Sequence, residues 1–441
     1  MKKSLLSLFT GALIMWSVVS KAQWTSATMI AGRSRLSAAS AGNKAGFFGG
    51  IGMMSNPFNS VDLYNSSTLG WTNPTISLSR TNSTAASIGS KIFVAGGSND
   101  WILSVYDRVD IYNTANNSWT TANLSAPRAY IAAASAGNRI LFAGGAHQMM
   151  GVDYSTVDIY DTVTAAWTSS NLSVSRYAIA AAGAASKIVF AGGKNTAASV
   201  FNTIDIYDVS SGTWTTATLS QARSNAAAVA AGTKIYIAGG YTAAGTSSKV
   251  VDIYDVSTNT WTIDSLSVAR GNICAATVGT QAFFAAGSDL SGNTVYGDVD
   301  VFNSTNGAKQ TLTLITPRSL CAATSLGNKF MIGGGVSASG TPVSSIEIYT
   351  VLGVGVEENS AVNKFSFYPN PINQQSKLTV FNTIGEGSLE IINSLGATVY
   401  SESLAASGNT LTIDCADFAK GMYFVKVSSH TRSSLQKLII Q

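Results

Sequence analysis

The strongest constraint on this chain is a spacing that recurs seven times. Arg33, Arg80, Arg128, Arg176, Arg223, Arg270 and Arg318 each stand sixteen residues before a small pair that opens at Gly49, Gly96, Gly144, Gly192, Gly239, Ala286 and Gly334. A branched, acidic, branched, aromatic quartet follows each pair: Val61-Asp62-Leu63-Tyr64, Val109-Asp110-Ile111-Tyr112, Val157-Asp158-Ile159-Tyr160, Ile204-Asp205-Ile206-Tyr207, Val251-Asp252-Ile253-Tyr254, Val299-Asp300-Val301-Phe302 and Ile346-Glu347-Ile348-Tyr349. Seven residues past the aromatic comes Trp71, Trp119, Trp167, Trp214 or Trp261, with Lys309 the one departure, and the next arginine follows nine residues later.

Each unit reads as four short strands. The first follows the arginine and is alanine-rich, as in Ala132-Ala133-Ala134 and Ala180-Ala181-Ala182, which suits strands crowded near an axis. The second ends in Gly-Gly, where close backbone approach and positive φ are permitted. The third is the acidic quartet, and the fourth carries the tryptophan. A period of 47 or 48 residues built from four strands is the signature of propeller blades. Trp24 lies nine residues before Arg33 with no pair or quartet ahead of it, while the unit from Arg318 to Tyr349 lacks a fourth strand. Joining the two closes seven blades and removes exposed sheet edges. The expected fold is therefore all-β: a seven-bladed propeller over 23–350, closed by an N-terminal outer strand. The pattern resembles the kelch repeat, whose units combine Gly-Gly after an apolar strand with a later Tyr and Trp. That resemblance covers roughly residues 24 to 350 and implies one kelch unit per four-stranded blade.

The N-terminus places Lys2 and Lys3 before an apolar run from Leu5 to Val19 and then Ser20-Lys21-Ala22, which predicts a signal peptide over 1–22. The run falls short of the ~20 residues a spanning helix needs. No later stretch is long and apolar enough, so no transmembrane segment is expected in the mature chain. Charged residues are 11% of the sequence, against roughly 25% in ordinary domains, and the net charge is +4. Such a chain carries no electrostatic footprint for nucleic acid. Three cysteines make no disulfide framework. Cys274 lies four residues after its arginine and Cys321 three after its own, an offset that points them to different faces of a strand, so both read as small core residues and not as a bridge.

After Tyr349 the repeat stops. Residues 351–364 read as a linker, and 365–441 contain short alternating segments that suggest a small antiparallel β-sandwich. Its Tyr368-Pro369-Asn370-Pro371 entry, Asn393-Ser394-Leu395-Gly396 turn, Lys420-Gly421-Met422-Tyr423 strand and basic, apolar last residues resemble the C-terminal sorting domain of the type IX secretion system of Bacteroidota. The resemblance implies passage through the periplasm, recognition by the outer-membrane translocon and sorting machinery, removal of the tail, and either surface attachment or release.

Catalytic motifs of zinc proteases, nucleophile elbows, phosphate loops and calcium loops are absent from the sequence. With only His147 and His430, a multi-histidine metal centre cannot be assembled in the propeller, so no metal, cofactor or catalytic residue is assigned. Seven arginines and seven acids at fixed repeat positions read as structural pairs, because buried charges need partners. An alternative reading makes them the channel-facing residues of a carbohydrate-active epimerase or lyase of kelch type. The only interval that varies lies between Gly-Gly and the third strand, so the loops joining strands two and three carry individual chemistry. Their candidate ligand-binding residues are Met53, Phe58, Trp101, Tyr106, His147, Met149, Met150, Tyr154, Phe201, Tyr241 and Tyr296, since aromatics and Met on the loops of a rigid scaffold suit binding surfaces. The expected role is a secreted or surface-displayed protein whose loops engage a glycan or protein ligand.

Overall fold

A computed structural model describes residues 24–54, 56–99, 104–351, 365–373, 376–382, 387–393, 397–404, 410–428 and 433–441. The expected signal peptide, and the expected linker beyond Val351, lie outside these residues. The chain divides into two compact units, Met1–Gly355 and Val356–Gln441.

The first unit is a ring of seven four-stranded antiparallel sheets whose innermost strands touch one another in a closed cycle. The fourth blade runs Ala180–Ala184, Lys187–Ala191, Thr203–Asp208 and Thr213–Thr218. The seventh is built from Ala322–Leu326, Lys329–Gly333 and Ser345–Thr350, and its outer strand is Trp24–Thr28 from the opposite end of the unit. Trp24 pairs with Tyr349 in register, as Trp214 pairs with Tyr207 in the fourth blade. In both the rings approach, at 5.1 and 4.9 Å between centroids. Where blade six has Phe302 and Lys309 in these places, the lysine lies over the phenyl ring and forms an ion pair with Asp264, so a cation replaces the indole on the same neighbour.

The repeat arginines and acids hold this ring together. Each guanidinium is fully buried and paired with the third-strand acid of its own blade, at 2.5 Å to Asp110, 2.6 Å to Asp158 and Asp252, 2.7 Å to Asp205 and 2.8 Å to Asp300, with Arg33–Asp62 and Arg318–Glu347 completing the set. Arg80, Arg128, Arg176, Arg223 and Arg270 also donate to a second-strand carbonyl, those of Val94, Phe142, Phe190, Ile237 and Phe284. The second oxygen of each aspartate accepts a backbone N–H from the segment entering that blade, from Ile30, Ser77, Ser125, Ser173, Ser220 or Ser267, at 2.9 to 3.1 Å. One carboxylate thus fastens the crossing between blades to the third strand. Burial lowers the proton affinity of the Arg33, Arg80, Arg176, Arg223 and Arg318 guanidiniums, and the adjacent carboxylate opposes it.

The Gly-Gly pair serves the contact with the next blade. In all seven junctions the second glycine donates its N–H to the carbonyl of the following blade's arginine, from Gly50 to Arg80 at 2.9 Å through to Gly335 to Arg33 at 2.8 Å. A Cβ on the first glycine would stand 2.3 Å from that carbonyl oxygen at Gly192 and 2.5 Å at Gly49. Ala286 occupies this position in blade six at φ 63°, whereas its partner Gly287, at φ 112°, remains glycine because a side chain there is strained.

One expectation is overturned. Cys274 and Cys321 form a disulfide, with Cα atoms 6.3 Å apart. An offset of one residue separates faces within a single sheet, but Cys274 opens the first strand of blade six while Cys321 stands directly before the first strand of blade seven. Blades stack face to face, so a residue pointing forward from one blade meets a residue of opposite parity pointing back from the next. Ser37 and Ser83, four and three residues after their own arginines, meet the same way, with hydroxyl oxygens 3.3 Å apart.

The second unit packs a three-stranded against a four-stranded antiparallel sheet. Its core includes Leu378, Val380 and Ile413 from one sheet and Leu389, Ile391, Val425, Val427 and Leu438 from the other, with the free thiol of Cys415 buried among them. Asn370 of the Tyr-Pro-Asn-Pro entry donates to the Lys437 carbonyl at 2.8 Å and accepts from the Ile439 N–H at 2.9 Å, so its amide pairs with the last strand as a neighbouring strand would.

Two consequences are measurable. Asp205→Asn strands a buried cation, which costs about 3–5 kcal/mol by denaturant unfolding, while the double variant Arg176→Met/Asp205→Leu costs less than the sum of its single changes. Cys274→Ser lowers the midpoint by an amount corresponding to about 2–4 kcal/mol, and reduction of the wild type reproduces that loss without adding to it in the variant.

Candidate binding face of the propeller

The channel at the centre of the ring forms an open cavity of about 400 Å³ walled by the first strands, at Ala39, Ala86, Ala134, Ala182, Ala228 and Ala276 together with hydroxyls such as Ser40, Ser87, Thr277 and Ser325. Among the described residues no arginine or acid lines this wall. The reading of Arg33, Arg80, Arg128, Arg176, Arg223, Arg270 and Arg318 as channel-facing catalytic groups is thereby corrected. All seven point into the blades, where strands two and three supply carbonyls and a carboxylate, and the axis admits only small side chains.

The loop candidates separate into three groups. Met53, Met149 and Met150 are exposed at 73, 61 and 73%, and Met54 beside the first is exposed at 85%. Trp101 lies outside the described residues. Phe58, Tyr106, Tyr154, Phe201 and Tyr296 share one structural position with Ser248 and Val343. Each donates its N–H to the second glycine's carbonyl at 2.8 to 3.0 Å, and its own carbonyl accepts from the next blade's arginine N–H. Their rings are half-buried, and two lie by the arginines, Phe58 5.9 Å from the Arg33 guanidinium and Tyr154 6.0 Å from that of Arg128. The sequence signal for this is their constant distance of three residues before the acidic quartet.

Tyr241 and His147 are buried. The Tyr241 hydroxyl lies 2.9 Å from the Ser288 hydroxyl and accepts from the Asn272 side chain at 3.2 Å, while Asn225 donates to Asn272 at 3.1 Å, a polar chain running from loop five into the mouth of the channel. Burial raises the Tyr241 phenol's pKa, and the bond with Ser288 opposes that.

Sequence reasoning missed the rim itself. Two residues past each repeat arginine stands a residue at positive φ: Arg35, Asn82, Tyr130, Ala178, Asn225, Asn272 and Leu320, at 51 to 58°. Backbone bonds link several across blades, including Asn82 to Arg35, Tyr130 to Asn82 and Arg35 to Leu320, so they encircle the mouth. Their identities vary freely, which hides the position. A basic residue opening the second strand was missed too. Lys44, Lys91 and Arg139 each reach the third-strand tyrosine of the next blade, Tyr112, Tyr160 and Tyr207, on the face opposite the variable loops.

Among the described residues no helix is long and apolar enough to cross a membrane, and no cluster of three His, Cys, Asp or Glu could hold a metal ion. The chain matches the family described as the KLHDC2/KLHL20/DRC7 Kelch-repeats domain over residues 12–177 and 132–335, and the Secretion system C-terminal sorting domain over 366–441. No curated protein matches. A solved structure titled "Structure of YjhT" is similar at 17% identity with a TM-score of 0.49, covering 63% of this chain and 97% of that one. The sorting domain indicates export by type IX secretion to the cell surface or the medium, and with it engagement of that machinery; the repeat domain indicates an interaction role. The chain belongs to the kelch-repeat family and carries a C-terminal type IX sorting domain.

Proposed function

We propose that this protein is a secreted or surface-displayed binding protein that presents the loops between strands two and three to a glycan or protein ligand. The observation that carries this reading is the division of labour within each repeat. The arginine, the acid, the glycine pair and the paired aromatics are consumed in building blades and joining them, which leaves individual chemistry on the loops and the rim. The exposed methionines of loops one and three supply adaptable apolar contact. Trp101 in loop two joins them as a candidate. Passage through the periplasm after removal of residues 1–22, with the tail recognised from about residue 365, completes the reading.

Two experiments test it. Screening the secreted chain against glycan and protein arrays should return a ligand whose affinity falls about tenfold or more in a Trp101→Ala/Met149→Ala/Met150→Ala variant; equal binding by the two proteins removes the loops from the account. Deleting 366–441 should leave the propeller inside the cell envelope, and its normal appearance outside the cell would contradict the sorting role.

A further inference from the structure

The seven rim residues do not spend their side chains alike. On one arc Asn225 donates to Asn272, and Asn272 to the Tyr241 hydroxyl, at 3.1 and 3.2 Å, so these amides are held by one another and by loop five. Ala178 and Leu320 carry no polar group. On the other arc, blades one, two and three present Arg35, Asn82 and Tyr130 in succession. Their backbones are joined, the Asn82 N–H to the Arg35 carbonyl and the Tyr130 N–H to the Asn82 carbonyl, both at 3.1 Å. Arg35 is exposed and the other two are half-buried. Among the described residues the Arg35 guanidinium, the Asn82 side-chain amide and the Tyr130 hydroxyl form no hydrogen bond or ion pair.

The backbone here does not ask for these side chains. At positive φ asparagine is among the least costly residues that carry a side chain, and three blades use it. Arginine at φ 52° in blade one and tyrosine at φ 58° in blade three are held at a conformational cost, and strain of this kind gathers where a side chain is needed for function. The charge is one-sided as well. Burial raises the Tyr130 phenol's pKa and the positive charge of Arg35 opposes that, so the cation acts across the intervening blade on the phenol. None of the seven rim residues is acidic, and the repeat acids are buried with their own arginines. The channel wall adds hydroxyls and alanine methyls and no charge.

We infer that the arc of Arg35, Asn82 and Tyr130 at the channel mouth binds the carboxylate of a uronic acid unit in an acidic glycan. The planar guanidinium of Arg35 takes the two carboxylate oxygens as a fork. The Asn82 amide and the Tyr130 hydroxyl each donate and accept, which suits the hydroxyls of the same sugar. One cation matches a monoanion, whereas a phosphate dianion would keep uncompensated charge. The open channel with its wall of hydroxyls gives the rest of the unit polar surroundings. An acidic peptide would instead ask for apolar pockets beside its carboxylate, which these three residues do not form. The assignment rests on the binding role proposed above and narrows its ligand class, placing the anchoring charge on the rim.

The test is calorimetric titration of the full secreted chain with trigalacturonate, trimannuronate, a hyaluronan tetrasaccharide, a sulfated carrageenan tetrasaccharide and tetraglutamate. At least one uronate should bind, and methyl esterification of its carboxylates should weaken it about tenfold or more. Arg35→Gln should cost as much and leave little salt dependence, while wild-type affinity falls as salt rises. Asn82→Asp, which keeps the side chain's shape at positive φ and adds a like charge, should also weaken binding. Val163→Ser, in an exposed turn on the opposite face, should bind as the wild type does, and all variants should keep the wild-type near-ultraviolet circular dichroism. Equal binding of the methyl ester, binding that ignores Arg35, or a preference for tetraglutamate or the sulfated sugar over every uronate overturns the assignment. So does silence across the panel; if a glycan or protein array still returns a ligand in that case, the broader binding role stands and the uronate site alone falls.

Discussion

A buried arginine cannot be left alone in a protein interior, and this single constraint organises the propeller. Moving a guanidinium out of water is costly unless a carboxylate and further acceptors meet it with good geometry. Each blade supplies both from its own second and third strands, as Arg176 shows with Asp205 and the Phe190 carbonyl. The same aspartate uses its other oxygen to accept the Ser173 N–H, so the crossing from the previous blade is fixed by the group that neutralises the cation. The arginine's own carbonyl then receives Gly145 of that previous blade. Sidedness, blade spacing and ring closure follow from one residue with three kinds of contact.

That economy explains how much of the fold is legible in the amino-acid sequence. Positions that every blade needs recur at fixed intervals, so the seven blades, the closing strand at Trp24 and the pairing of arginines with acids can be read from spacing. What spacing hides depends on relations between blades. The Cys274–Cys321 bond escapes it because the parity that separates faces within one strand reverses across two stacked sheets. The aromatics at Phe58, Tyr106, Tyr154, Phe201 and Tyr296 look like loop individuality, yet they keep a constant distance from the quartet and a constant backbone role. The rim at Arg35, Asn82 and Tyr130 is hidden for the opposite reason: its backbone is constant while its side chains are free to vary.

Function is therefore sought where the repeat leaves a choice. The channel wall is small and uncharged because seven first strands crowd the axis, and the arginines face away from it. The loop face carries the exposed methionines and the variable rim. A rigid ring that takes its order from repeated internal pairs can vary these features without disturbing the fold. The sorting domain has its own core, so the export signal is carried by a part of the chain separate from the propeller.

The most direct measurement of the central claim is native-state hydrogen exchange at the amides of Ser77, Ser125, Ser173, Ser220 and Ser267, the donors to the paired aspartates. If the buried pairs fasten each crossing to its blade, these loop amides exchange as slowly as the inner strands, through global unfolding. Exchange at the rate of the exposed turns would show that the crossings open freely and that the pairs do not hold the ring together.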